Sequence, residues 1–333
     1  MRILITGGAG FIGSHITDLY IKKGHQVAVV DNLVHGKRVN VHRKASFFHT
    51  DITSPQISRI FSKFKPQVVN HHAALVNVSE SMKSPTMDGK VNVLGTLNLL
   101  ENAKKTKVKQ FIFASSVAVY GEPKKFPIKE QDPKIPVSFY GISKYIGEKY
   151  TALYKGDFLT AIFRYSNVYG PGQDSSAEGG VVAIFINNLV RNKDCIIYGD
   201  GKQTRDFVSV FDVAQANLLA AEKKIEGVFN ISTNKKTSIL NLYKLLKNKI
   251  ESKGKVNFTK SRKGDIKKSV LDNSRAKKVL AWRPKYGLKE GIGETINYFR
   301  KQKTKDHKLK TQTYTCLPAG RYFKIFMFLG MCF

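Results

Sequence analysis

Short apolar runs alternate with amphipathic stretches along the first half of the chain. Arg2–Thr6 is an apolar run that ends in glycines. Phe11–Lys23 spaces its apolar side chains as a helix does and stops at Gly24, a helix-ending signal. Gln26–Val30 reads as a second strand closing on Asp31, Ser46–Thr50 as a third, and Gln67–Asn70, introduced by Pro66, as a fourth. Glu80–Thr106 is mostly helical, with Pro85 near its start or in a break. Gln110–Ala114 is a fifth strand, Ser138–Tyr154 a helix and Leu159–Arg164 a sixth strand. Parallel neighbours need crossover connections, so this alternation predicts an α/β fold with a doubly wound parallel sheet.

After Asn167 the texture changes. Glycine and proline cluster at Gly170–Gly172 and Gly179–Gly180, and Gly199-Asp200-Gly201 marks a turn. Helices are expected at Val181–Arg191, Val210–Ala221, Ile239–Glu251 and about Leu288–Arg300, and strands at Cys195–Tyr198 and Val228–Ile231. The pattern predicts a smaller C-terminal α/β domain, 166–206 and 233–300, interleaved with a larger one, 1–165 and 207–232. Residues 301–333, a Lys/Thr-rich stretch leading into an aromatic run, are expected to be a disordered tail.

At 333 residues the chain suffices for about two domains of ~150 residues and a large core. Three cysteines without CxxC spacing make no disulfide framework and point to a reducing, cytoplasmic interior. No apolar run approaches the ~18 residues of a spanning helix, and no signal peptide precedes the first strand, so no membrane partner is expected. The net charge of +31 raises the question of an anionic partner. The lysines are scattered as pairs, such as Lys104–Lys105 and Lys277–Lys278, beside apolar helix positions. That is the pattern of wet helix faces, and no nucleic-acid module signature accompanies it.

Two motifs carry chemistry. Gly7, Gly10 and Gly13 lie between the first strand and the first helix, where glycines allow a tight turn and close approach of a pyrophosphate to a helix N-terminus. Asp31 closes the next strand, where a carboxylate accepts hydrogen bonds from ribose hydroxyls and repels a 2′-phosphate, favouring NAD over NADP. The second motif is Tyr140-Gly141-Ile142-Ser143-Lys144, which places a phenol and an ammonium on one helical face. Opposite-charge attraction favours the phenolate, so Tyr140 is expected to titrate below its ordinary ~10 and to serve as a base, with Ser116 sharing the proton. His71 and His72 lack acids or cysteines at ligand spacing, so no metal is expected.

With these residues the chain resembles an extended short-chain dehydrogenase/reductase of the nucleotide-sugar epimerase branch, typified by UDP-glucose 4-epimerase. The resemblance covers about residues 1–300. It runs through Thr6–Gly13, Asp31-Asn32, Asp51-Ile52, His72-Ala73-Ala74, Asn92, Ser115-Ser116, Val119-Tyr120-Gly121, Tyr140…Lys144 and Arg164–Pro171. It continues through Tyr198–Gly201, Thr204–Phe207, Arg262–Asp265 and Trp282-Arg283-Pro284. The resemblance implies a Rossmann-like sheet and a bound NAD held by Gly7, Gly10, Phe11, Ile12, Gly13, Asp31, Asn32, Asp51, Ile52, Ala73, Asn92, Tyr140, Lys144 and Tyr165. It implies Ser116, Tyr140 and Lys144 as catalytic residues. Ser116, Asn167, Arg205, Arg262, Asp265 and Ser269 are implied for the UDP-sugar, and a homodimer through the helices near Glu80–Thr106 and Ser138–Tyr154.

The departures refine the expectation. Some relatives carry lysine where this chain has Val76, and their Pro-Arg-Gln is Pro171-Gly172-Gln173 here. Ser269 stands where members restricted to unmodified hexoses carry a bulky residue, which leaves room for a 2-acetamido group. Ala118 stands where dehydratases and decarboxylases place an acid, leaving simple epimerisation. The resemblance therefore implies a UDP-hexose 4-epimerase acting on UDP-glucose/UDP-galactose or the N-acetylated pair through a transient 4-keto sugar. The alternatives are a UDP-glucuronate 4-epimerase or, outside enzymes, an idle dinucleotide-binding protein with affinity for RNA.

Overall fold

The computed structural model describes residues 1–176, 179–261 and 266–315. The strands of the first half are β1 (Arg2–Thr6), β2 (Gln26–Asp31), β3 (Ser46–His49), β4 (Val68–His71), β5 (Gln110–Ser116) and β6 (Leu159–Tyr165). The second half adds β7 (Asn167–Tyr169), β8 (Cys195–Tyr198), β9 (Thr204–Arg205), β10 (Phe207–Ser209), β11 (Gly227–Ile231), β12 (Thr237–Ser238) and β13 (Val256–Thr259). The helices are α1 (Phe11–Lys22), α2 (Ile57–Phe64), α3 (Val78–Lys83), α4 (Pro85–Asp88), α5 (Gly95–Lys105), α6 (Phe139–Leu153) and α7 (Val181–Leu189). They continue with α8 (Val210–Lys223), α9 (Ile239–Ile250) and α10 (Leu288–Thr315).

Seven strands form one parallel sheet in the order β11-β6-β5-β4-β1-β2-β3. The order reverses between β1 and β4, the switch point at which open α/β sheets bind ligands. The strands are apolar on both faces because helices cover both. Along β1, Ile3 and Ile5 join a core cluster with Ile16, Tyr20 and Val213 of α1 and α8. Leu4, between them, joins the opposite cluster with Ile57, Phe61 and Leu99 of α2 and α5. A third cluster binds α7, α9 and α10 through Phe185, Leu189, Leu242, Leu246, Ile296 and Phe299.

The observed elements differ from expectation in four places. Helix α2 was not anticipated; its Ile57, Ile60, Phe61 and Phe64 form one buried stripe in only eight residues. The stretch expected as mostly helical over Glu80–Thr106 is interrupted twice. Helix α3 ends at Ser84 because the residue before a proline avoids the helical region, and Pro85 then opens α4 from its first position. A π-helical turn, Gly89–Leu94, follows before α5. The short pairs β7–β10, β9–β12 and β8–β13 were foreseen only at β8. Finally, α10 runs on to Thr315, so the expected tail begins as helix; residues 316–333 lie outside the described ones. No helix of the described residues is long and apolar enough to cross a membrane.

A buried polar knot sits at the C-terminal end of β5 and β6. The Arg164 guanidinium donates to both oxygens of Glu148 (2.8 and 2.6 Å), to the Tyr120 hydroxyl and to the Glu130 carbonyl. Tyr120 in turn donates to Asn230 Oδ1 at 2.7 Å, and Ser115 donates to Glu148 at 2.5 Å. Such a pair is held by its geometry, and removing one partner strands the other charge in the interior. Glu148→Gln is expected to destabilise the protein by about 3–5 kcal/mol, read as a lower midpoint of urea unfolding at pH 7.

Candidate active site

The C-terminal ends of β1, β2, β4, β5 and β6 converge on one crevice. Gly7 leaves β1 with φ +71°, and a Cβ there would lie 2.6 Å from the Ala73 nitrogen. At Gly13 a Cβ would lie 2.2 Å from the Gly7 carbonyl oxygen. Only glycine fits either position, so turn, helix and the loop after β4 close on one another. Gly10 caps α1 without a side chain, which leaves the first-turn N–H groups without a side-chain acceptor. These features suit a pyrophosphate and fit NAD at the predicted place.

Asp31 does more than close β2. Its Oδ2 accepts the Ala9 N–H at 2.9 Å and its Oδ1 the Leu33 N–H at 2.8 Å. It thus braces the glycine turn and its own loop while each oxygen keeps further lone-pair capacity. Asn32 donates to Asp51 Oδ2 at 2.7 Å, and Asp51 Oδ1 accepts the Thr53 N–H and hydroxyl. Burial pushes the Asp51 carboxyl up, but these hydrogen bonds outweigh it and hold the group below its ordinary range. Ile12 and Ile52 pack into the core clusters, and Phe11 meets His15 edge-on.

Beyond β4 the partners fix proton positions. Ala73 N–H donates to Thr6 Oγ1, and the Thr6 hydroxyl lies 2.7 Å from His71 Nδ1. The Thr96 hydroxyl donates to the Asn92 carbonyl, so it accepts from His71 Nε2 at 2.9 Å. Burial places the His71 titration well below the ordinary range, so the ring is neutral with its proton on Nε2, and Nδ1 accepts from the Thr6 hydroxyl. Asn92 holds both the N–H and the C=O of Leu75, at 2.8 and 2.9 Å, and so fixes the loop 72–76. His72 stacks on Tyr165 with 5.8 Å between ring centroids and hydrogen-bonds its hydroxyl; burial lowers this histidine to about 3. Asn217 donates to the same Tyr165 hydroxyl at 2.9 Å.

The catalytic candidates meet over β5. Ser138 caps α6 by accepting the Gly141 N–H at 3.1 Å. Gly147 lies against the ring of Phe113 and Gly141 against the Ala118 carbonyl, which brings α6 down onto the strand end. Tyr140 is buried and hydrogen-bonded to Ser116. Lys144, also buried, donates to the Ala114 carbonyl at 2.9 Å and lies 5.1 Å from the centre of the Phe113 ring. The expected acidic phenol is not what the protein alone provides. Burial pushes Tyr140 up to about 12, opposed by the Ser116 hydrogen bond and reinforced by the Asp88 carboxylate. Burial likewise lowers Lys144 to about 8, against the pull of Asp88.

The residues expected on the sugar side are only partly assembled. Asn167 lies beside Asp206, its N–H donating to the Asp206 carbonyl at 2.9 Å. Arg205 reaches the Ile266 carbonyl at 2.6 Å, and the Ser269 N–H donates to the Thr204 carbonyl at 3.1 Å. Arg262 and Asp265 lie outside the described residues. Asn167 Oδ1, Thr204 Oγ1 and Ser269 Oγ are buried without a partner among the described residues, as expected of groups that serve a polar ligand. Val76, where some relatives carry lysine, is exposed.

Sequence reasoning did not foresee Asn217 or Asp206. Asn217 is a fully buried polar residue among the alanines and leucines of α8, with Gln215 the other amide in that run. Asp206 accepts four N–H or O–H groups from Thr233, Asn234 and Leu271, tying the strand beside Arg205 to two loops; burial raises it to about 6 despite them.

This geometry agrees with comparisons to known proteins. The UDP-glucose 4-epimerase of the hyperthermophile Thermotoga maritima, solved with UDP-glucose, is 45% identical, with a TM-score of 0.88 over 91% of this chain and 99% of its own. The UDP-glucose 4-epimerase of Thermus thermophilus, solved with NAD, is 39% identical, with a TM-score of 0.85 over 90% and 99%. A UDP-N-acetylglucosamine 4-epimerase from Methanobrevibacter ruminantium, in complex with UDP-N-acetylmuramic acid, is 34% identical, with a TM-score of 0.86 over 90% and 98%. The NAD dependent epimerase/dehydratase family matches residues 3–232, and the chain belongs to that family.

Proposed function

We propose that this protein is an NAD-dependent 4-epimerase of a UDP-hexose, either UDP-glucose/UDP-galactose or the N-acetylated pair. The observation that carries the reading is the burial of Tyr140 and Lys144 together on α6, with the ammonium anchored on the Ala114 carbonyl of the strand that ends in Ser116. Gly7, Gly10, Phe11, Ile12 and Gly13 would hold the NAD pyrophosphate, with Ile12 offering backbone because its side chain packs on the core. Asp31, Asn32, Asp51 and Ile52 would hold the adenosine end, and Ala73, Asn92, Tyr165 and Lys144 the nicotinamide riboside. When bound, the oxidised nicotinamide supplies the hydride acceptor at C4 and a positive charge that favours the Tyr140 phenolate.

Tyr140 then takes the proton of the C4 hydroxyl, with Ser116 sharing the hydrogen bond, and a transient 4-keto sugar results. Arg205 and Arg262 would grip the diphosphate, Asp265 the uridine ribose, and Asn167 and Ser269 the remaining polar edge. The pyranose turns about this tether, hydride would return from the reduced nicotinamide to the opposite face of C4, and Tyr140 gives its proton back to the C4 oxygen. The segments 166–206 and 233–300 form the sugar-nucleotide domain in this reading. Ser269, small and buried, with a hydroxyl that has no partner among the described residues, favours testing the N-acetylated pair beside the hexoses.

A homodimer completes the proposal. Val78, Met82, Met87, Leu94, Phe139 and Ile142 are all exposed on α3, α4, the π turn and α6. Contiguous apolar surface on adjoining helices fits a second copy of the same face.

Tyr140→Phe is expected to lower kcat for C4 inversion at least about 10²-fold, followed by proton NMR on UDP-hexoses and UDP-N-acetylhexosamines. Full activity in that variant removes Tyr140 as the proton carrier. Met82→Lys combined with Met87→Lys is expected to shift the protein from dimer to monomer in sedimentation analysis; an unchanged mass locates the interface elsewhere.

A further inference from the structure

Asp88 is a buried carboxylate that the mechanism above leaves unused. It is 1% exposed at the end of α4, beneath the helix that carries Tyr140 and Lys144. Its Oδ2 accepts from Asn92 Nδ2 at 2.9 Å. Asn92 Nδ2 also lies 3.2 Å from Ser143 Oγ, so the three side chains form one cluster. Each partner leads to a different part of the site. Asn92 holds both backbone groups of Leu75 on the cofactor side. Ser143 stands between Tyr140 and Lys144 on α6, its hydroxyl 3.1 Å from the Tyr140 carbonyl.

A carboxylate so far from water needs positive charge nearby. Burial pushes the Asp88 carboxyl above its ordinary range, and the cation that opposes this is Lys144, 4% exposed on the facing helix. Lys144 in turn acts on His71 and His72, both held neutral by burial. Tyr140 feels the same negative charge.

We propose that Asp88 is a positioning residue for proton transfer at Tyr140: it locks Asn92 to Ser143, and its charge keeps Lys144 an ammonium while restraining ionisation of the phenol. The inference rests on the reading of Tyr140 as the proton carrier. It makes the working pH range a joint property of three buried groups on two helices.

The sign of the effect follows from the charge. Removing a negative charge makes the phenol easier to ionise and the ammonium easier to deprotonate. In Asp88→Asn, which keeps the shape and an acceptor for Asn92, both limbs of the pH–rate profile are therefore expected to move to lower pH by about one unit. A purely structural role lowers the rate at every pH and leaves the limbs in place, and that result overturns the proposal. A readout independent of turnover is the ¹³Cε titration of Lys144, assigned against Lys144→Met. Its midpoint is expected to fall in Asp88→Asn, and an unmoved midpoint overturns the proposal. A fall there, without epimerisation by the wild type, would sink the proposed function and leave only the charge coupling of Asp88 to Lys144 standing. Should Asp88→Asn not fold, ¹³C-carboxyl NMR of the wild-type protein decides. Asp88 ionised at pH 7 to 8 supports the charge balance, and Asp88 protonated there overturns it.

Discussion

An ammonium group has been taken out of water at the end of a central strand, and much of the site is arranged around that constraint. Lys144 is held by the Ala114 carbonyl, the face of Phe113 and the charge of Asp88. None of these reaches it unless α6 lies close on β5. That approach depends on Gly141 and Gly147, whose missing side chains let the helix settle against Ala118 and Phe113. The same approach seats Tyr140 against Ser116. Helix packing and acid–base chemistry are therefore one problem at this edge of the sheet: a bulkier contact would lift the phenol, the ammonium and their partners together.

Around that point the molecule places a large polar inventory inside its core. The Arg164–Glu148 knot, the Thr6–His71–Thr96 chain and the Tyr165–His72–Asn217 cluster lie at the C-terminal ends of neighbouring strands. Each is costly to bury and stays favourable only while its members are hydrogen-bonded. Their shared effect is to fix side-chain orientation and tautomer where a coenzyme and a sugar must meet. On the sugar side Asn167, Thr204 and Ser269 carry buried atoms without partners among the described residues, and on the coenzyme side His72 Nδ1 does the same.

Much of this could be read from the chain because it rests on periodicity and glycine. The strands β1, β2, β4, β5 and β6 are apolar runs bounded by turn residues, and Gly7 and Gly13 announce a turn no other residue fits. What escaped reading has physical reasons. Helix α2 is too short to show its stripe beside a Thr-Ser-Pro turn. The π turn shifts the phase of the helix, so a 3.6-residue repeat does not announce that Asn92 faces inward or that Asp88 shares its cluster. The spacing of Tyr140 and Lys144 revealed that they are neighbours but not that burial outweighs their attraction. The expected direction of the phenol's titration was therefore wrong for the protein alone. The extension of α10 to Thr315 was hidden by polar composition, since propensity in a Lys/Thr-rich segment says little about its end.

The double engagement of Asp31 reaches into the engineering of coenzyme preference. The acid expected to discriminate between the two dinucleotides also receives the Ala9 and Leu33 N–H groups that keep the glycine turn in shape. Exchanging it for a neutral or basic side chain, to welcome an extra phosphate, would unfasten the phosphate cradle at the same stroke. A redesign would first have to give those two amides a new acceptor, so selectivity and cradle rigidity can only be altered as a set.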